Sequence, residues 1–162
     1  MIVLPSGRRT RVASVDQFEG PIEAAIPGQS VTILLEDDID VGRGDMLADP
    51  ERPPFVAREL TAEICWMSER PLEPRARLAV KHTTRASRAI VEELVSVVDM
   101  ATLETIPGPG RLVLNDLAVV RLRLSEPLAV DPYERNRATG SFILIDEATN
   151  DTVGAGMVED AF

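Results

Sequence analysis

The chain has one cysteine, one histidine and few aromatic residues, and these scarcities exclude much before any motif is read. A single thiol cannot form a disulfide within the chain, so no disulfide framework staples the fold. One His and one Cys cannot assemble a Cys/His zinc site, and every Ser or Cys nucleophile would have to share the same base, His82. Aromatics are 4 % of the 162 residues, so the core must be filled mainly by Val, Leu, Ile and Ala. Basic residues are outnumbered, 17 Lys and Arg against 27 Asp and Glu, for a formal net charge of -10. That balance argues against non-specific binding to nucleic acid or an anionic membrane, which is carried by clustered Lys and Arg. No apolar run approaches the roughly 20 residues that span a bilayer. The N-terminus also lacks the basic flank and apolar run of a signal peptide. The expectation is a cytoplasmic protein without nucleic-acid or membrane partners.

What is present is a globular composition, 44 % hydrophobic, cut into short pieces by 12 prolines and 10 glycines. Ile2-Val3-Leu4, the Thr10 to Val15 segment and Met46-Leu47-Ala48 read as short strands, and Ser30 to Leu35 as a buried one. Asp49-Pro50-Glu51-Arg52-Pro53-Pro54 is a semi-rigid linker candidate, because each proline fixes its own φ and restricts the residue before it. A domain boundary is placed there, giving 1–50, 51–159 and a tail at 160–162. Leu60 to Met67 and Arg77 to Thr83 read as strands. Val119 to Leu124 alternates most clearly, with Val120, Leu122 and Leu124 on one face and Arg121 and Arg123 on the other. Ala89 to Val98 places its apolar residues at helical spacing, but its β-branched content favours a strand. The fold class expected is all-β, as barrel or sandwich.

Candidate chemistry is sparse. Gly154-Ala155-Gly156 is too short for a phosphate loop and has no basic residue behind it, so small residues in a close-packed terminal strand are expected. The acidic run at 36–40 lacks the order of a calcium loop and reads as a solvated turn. Cys65 is expected to be a buried small hydrophobe, with a reactive thiol as the alternative, and His82 a surface or half-buried barrel residue. Ser141 has no nucleophile-elbow sequence around it. No catalytic, cofactor-binding or metal-binding residue is assigned. Arg43 and Asp45, in an Arg-Gly-Asp turn, and Arg135, Asn136 and Arg137, in the turn after Asp131-Pro132, are candidate contacts with a partner or a neighbouring domain.

Several segments, in their order, resemble the second and third domains of translation-factor-type GTPases. They are Ile2 to Gly7, Pro27-Gly28-Gln29-Ser30-Val31, Gly42 to Leu47, Leu60 to Met67, Leu114 to Ala118 and Asn136 to Asp146. Leu34-Glu36-Asp37-Ile39-Asp40, Lys81 and Asn136-Arg137 with Thr139-Gly140 and Phe142-Ile143 are most similar to the GTPase subunit of ATP sulfurylase (sulfate adenylyltransferase). The resemblance implies a partial second-domain barrel, its opening strands missing, then a Greek-key-like third-domain barrel. It implies a parent enzyme that makes adenylylsulfate and pyrophosphate from ATP and sulfate, coupled to GTP hydrolysis. GTP and Mg would sit in an N-terminal domain of that parent. A small subunit would carry the adenylyl transfer, and an adenylylsulfate kinase would be a fused or neighbouring partner. This chain, as a piece of that parent, is expected to be inactive alone. An incomplete barrel leaves an unpaired edge, so association, strand swapping or poor order of the first segment is expected. Two alternatives remain at this point: an elongation-factor piece that binds aminoacyl-tRNA, and a stand-alone interaction module.

Overall fold

The structure, a computed structural model, describes all residues from Met1 to Phe162. It contains thirteen β-strands and no helix, and it divides into two compact units, Met1–Pro53 and Pro54–Phe162.

The first unit holds β1 (Ile2–Leu4), β2 (Arg8–Arg9), β3 (Val12–Gln17), β4 (Gly20–Pro21), β5 (Thr32–Leu35) and β6 (Met46–Ala48). They form two separate three-stranded antiparallel sheets, ordered β2-β1-β6 and β4-β3-β5. Each sheet therefore ends in two open edges. Val3 and Leu4 are this unit's only buried hydrophobic residues. Ser30 to Leu35 was expected to be a buried strand; β5 is shorter, and its residues alternate between exposed and half-buried. Leu34 is 53 % exposed, because β5 pairs with β3 alone and no second layer covers its outer face.

The second unit holds β7 (Phe55–Trp66), β8 (Arg77–His82), β9 (Arg85–Val98), β10 (Thr105–Pro107), β11 (Leu117–Val130), β12 (Ser141–Ile145) and β13 (Thr152–Ala161). Antiparallel pairing runs β9-β11-β7-β13-β12-β8 and returns to β9, a closed six-stranded barrel with β10 attached outside on β9. Closure removes the free edges that an open sheet would present. Inward residues alternate as a period of two requires. On β7 they are Leu60, Ala62, Ile64 and Trp66, and on β11 Val120, Leu122 and Leu124, all at most 3 % exposed. The arginines between them on β11 face outward. Arg121 pairs with Glu93 at 2.9 Å and Arg123 with Glu92 at 2.8 Å.

β9 resolves the segment with helical spacing. Its register against β11 slips twice, once at Val95 and once at Glu92, so each bulge inserts one residue. The core-facing residues therefore become Ala89, Val91, Leu94 and the partly buried Val97, separated by two, three and three positions. That sequence of steps imitates a helical period in an unbroken strand.

Gly156 of β13 is a packing requirement. A Cβ on Gly156 would lie 2.3 Å from the Phe142 ring, which covers it across the β12–β13 pair. After β9, the Asp99 carboxylate accepts N–H bonds from Ala101 (2.8 Å) and Thr102 (3.1 Å), which hold it below the usual carboxylate range. Residues 160–162, expected to be a tail, are paired instead. β13 runs to Ala161, the Phe162 N–H donates to the Glu59 carbonyl at 2.9 Å, and the Glu59 N–H returns a bond to Phe162. The cause is β7, which begins at Phe55 and offers backbone partners to the end of the chain.

Candidate functional site

The outer face of the closed barrel carries a groove of 640 Å³. Its floor is a row of cross-strand neighbours, Leu117, Cys65, Ala155, Ile143 and Lys81, one each from β11, β7, β13, β12 and β8. With strands about 4.8 Å apart the row spans roughly 19 Å. A second row, Glu63, Met157 and Ser141, runs beside it. The floor is mostly apolar. Lys81 stands at one end of the row, and beside Glu63 and Met157 the surface continues into a 360 Å³ pocket that Glu134 and Glu159 also line. Cys65, expected to be buried, is half-buried on this floor, because it lies between the inward residues Ile64 and Trp66.

One wall is the loop at 131–140, which contains three of the sequence-derived contact residues. It is tied down by a buried polar network. The Asp131 carboxylate accepts the Thr139 hydroxyl at 2.7 Å and lies 3.4 Å from the Arg135 guanidinium. The Thr139 carbonyl bonds the His82 ring Nε2 at 2.8 Å and accepts the Asp131 N–H at 3.2 Å. His82, expected at the surface or half-buried, is 1 % exposed. β8 turns Leu78, Val80 and His82 inward together, and burial pushes the imidazole pKa below its ordinary value despite the nearby Thr139 carbonyl and Asp131. Tyr133 N–H donates to the Val158 carbonyl and Val158 N–H to the Gly140 carbonyl, both at 2.8 Å, which fastens both ends of the loop to β13. A Cβ at Gly140 would sit 2.4 Å from the Tyr133 Cα, so the loop closes this tightly only with glycine.

The predicted contact residues divide between the two units. Arg135, Asn136 and Arg137 come together on the loop: Arg135 pairs with Asp131, the Asn136 side chain accepts the Ala138 N–H at 3.1 Å, and the Arg137 guanidinium lies 5.8 Å from the Tyr133 ring centroid. Arg43 and Asp45 belong to the first unit, where Asp45 accepts the Gly42 N–H at 2.9 Å. Sequence reading missed Glu63, Ile143 and Met157 as groove residues. Their signal is the outward phase of β7, β12 and β13, strands whose two faces the sequence analysis did not assign.

Chemically, this groove can bury apolar side chains and presents both a cation, Lys81, and a carboxylate, Glu63, to whatever it binds. The Ser141 hydroxyl donates to the Arg137 carbonyl at 2.9 Å and is held as a loop anchor. No group of three or more His, Cys, Asp or Glu side chains is arranged to hold a metal ion, and no helix is long and apolar enough to cross a membrane.

Comparisons with known proteins agree with this architecture. Residues 59–159 match the model of the GTP-eEF1A C-terminal domain-like family. Sulfate adenylyltransferase subunit 1 of Alteromonas mediterranea is 43 % identical over 97 % of this chain and 33 % of that protein. The bifunctional enzyme CysN/CysC of Mycobacterium tuberculosis is 45 % identical over 98 % of this chain and 26 % of that protein. The chain thus spans about a third or less of the length of these curated relatives. Among solved structures, Sup35 complexed with GDP superposes with a TM-score of 0.87 at 21 % identity, over 99 % of this chain and 40 % of that one, which shows a shared fold. The closed all-β barrel and the family match together establish that this chain belongs to the GTP-eEF1A C-terminal domain-like family.

Proposed function

We propose that the chain is the C-terminal β-barrel region of the GTPase subunit of sulfate adenylyltransferase. In that role it is a structural and coupling module within an enzyme that makes adenylylsulfate and pyrophosphate from ATP and sulfate. The observation that carries this reading is identity above 40 % to proteins named for that subunit across nearly the whole chain. GTP and Mg belong, in this reading, to a separate domain of the parent, since these residues contain no phosphate loop. The barrel contributes rigidity. Its interior is closed by packed Leu and Val side chains, and one wall of its outer groove, the 131–140 loop, is fastened to β13 by backbone hydrogen bonds. The small catalytic subunit, the parent's own GTPase domain and a fused or neighbouring adenylylsulfate kinase are the partners proposed.

The test is co-purification of the full-length parent with the small subunit, followed by assay of GTP-coupled adenylylsulfate formation. Ile143→Asp, which puts a charge on the groove floor without touching the barrel interior, is expected to reduce coupled turnover at least about tenfold. Absence of binding to the small subunit by both the parent and this region would sink the proposal.

A further inference from the structure

The barrel surface over β8, β9 and β11 carries a second pocket of 360 Å³. The geometry points to a docking site for an acidic segment of a partner protein, one that places an apolar side chain between carboxylates. Arg77, Ile90 and Arg123 are direct cross-strand neighbours on three adjacent strands, so their side chains share one face. The two arginine backbones stand roughly 10 Å apart, with Ile90 between them. Arg88, two residues before Ile90 on the same strand face, adds a third guanidinium. Three cations thus ring an apolar floor on a chain whose net charge is -10.

The local pairing shows what chemistry the site takes. Arg88 Nε donates to Glu147 at 2.7 Å, so the pocket already seats one carboxylate. Arg123 Nε meets Glu92 at 2.8 Å, whereas Arg77 takes part in none of the barrel's ion pairs. Each guanidinium has five N–H donors, and one Nε bond leaves the outer nitrogens of Arg88 and Arg123 able to receive a second carboxylate. Both pairs are solvent-exposed, Arg88 at 76 % and Arg123 at 55 % of the side chain, and exposed pairs exchange partners at little cost. The choice between a protein segment and a free oxyanion follows from the floor. The half-buried Ile90 offers carbon surface that a phosphate or sulfate cannot use, while an apolar side chain flanked by Asp or Glu uses both floor and rim. This site is independent of the sulfate-activation reading and shares no lining residue with the groove.

The test titrates the isotope-labelled 162-residue chain with the synthetic peptide Asp-Asp-Leu-Phe-Glu-Asp, capped at both ends, and follows backbone amide shifts by NMR. Saturable shifts at Arg77, Ile90 and Arg123 are expected. Affinity should fall as ionic strength rises. Arg77→Glu should weaken binding about tenfold while leaving the remaining spectrum unchanged, because Arg77 holds no ion pair within the fold. The Asn/Gln twin of the peptide should not bind there. Equal binding of the neutral twin, shifts confined to other surfaces, or saturation of the same amides by inorganic phosphate that the peptide fails to displace would each overturn the inference.

Discussion

Leu34 and Leu122 are the same residue type in two alternating strands, yet one is 53 % exposed and the other fully buried. The difference lies in their surroundings. Leu122 sits on β11, which has a hydrogen-bonded neighbour on each side inside a closed ring, and the far wall of that ring supplies a second layer. Leu34 sits on β5, an edge strand of a three-stranded sheet. Alternation makes a strand amphipathic, but only closure turns the apolar face into a core. The second unit therefore has a continuous core of Leu, Val and Ile, while the first has little more than Val3 and Leu4.

The largest expected consequence is in local stability. Amides in the middle of β7, β11 and β13 have partners on both sides and should exchange with solvent only when the barrel opens as a whole. Amides of the two-residue strands β2 and β4 lie at sheet edges in the first unit and should exchange at least about three orders of magnitude faster. Hydrogen exchange followed by NMR or mass spectrometry measures this directly. Equal protection in both units would break the comparison.

A matched pair of substitutions sharpens it. Leu122→Ala removes methyl groups from a fully buried position and should cost about 2–5 kcal/mol of barrel stability. Leu34→Ala removes a mostly exposed side chain and should cost about 0.5 kcal/mol or less. Denaturant melts of the two variants, each referred to the parent chain, give the contrast. Comparable losses would mean that β5 packs in solution against something the open sheet does not show.

The barrel was legible in the sequence where alternation was undisturbed. β11 announces itself through Val120-Arg121-Leu122-Arg123-Leu124, and the structure places those residues on the expected faces. β9 was legible only in part, because two bulges change the phase of the pattern and a register slip has no local residue signature. Cys65 and His82 were misjudged for a related reason. Residue type suggested one environment, whereas strand phase, set by Ile64 and Trp66 or by Leu78 and Val80, imposed the other. The resemblance of residues 136–146 led to the family, but what the loop does physically depends on His82, which lies 57 positions from the Thr139 carbonyl it binds. No reading of neighbouring residues could supply that bond. The arginine pocket likewise arises from three strands brought into register and has no motif in the chain.

The smallest effect concerns that buried histidine, and it belongs to the barrel alone. Burial disfavours the imidazolium, and the Thr139 carbonyl and Asp131, itself beside Arg135, only partly offset the cost. The folded-state pKa therefore lies below the ordinary imidazole value of about 6.5 that holds in the unfolded chain. Above about pH 6.5 the ring is neutral in both states, and the contribution to stability is constant. As pH falls below that value, the unfolded chain takes up a proton that the folded barrel resists. Stability is then lost until the folded-state pKa is passed, with a slope of at most about 1.4 kcal/mol per pH unit. Trp66, 3 % exposed in the same barrel, reports the transition by fluorescence without a signal from the first unit. His82→Gln retains an N–H donor for the Thr139 carbonyl but cannot titrate, so its melting temperature should fall less steeply between about pH 7 and pH 5 than that of the unsubstituted chain. Parallel slopes would show that the imidazole does not set the acid sensitivity of the closed barrel.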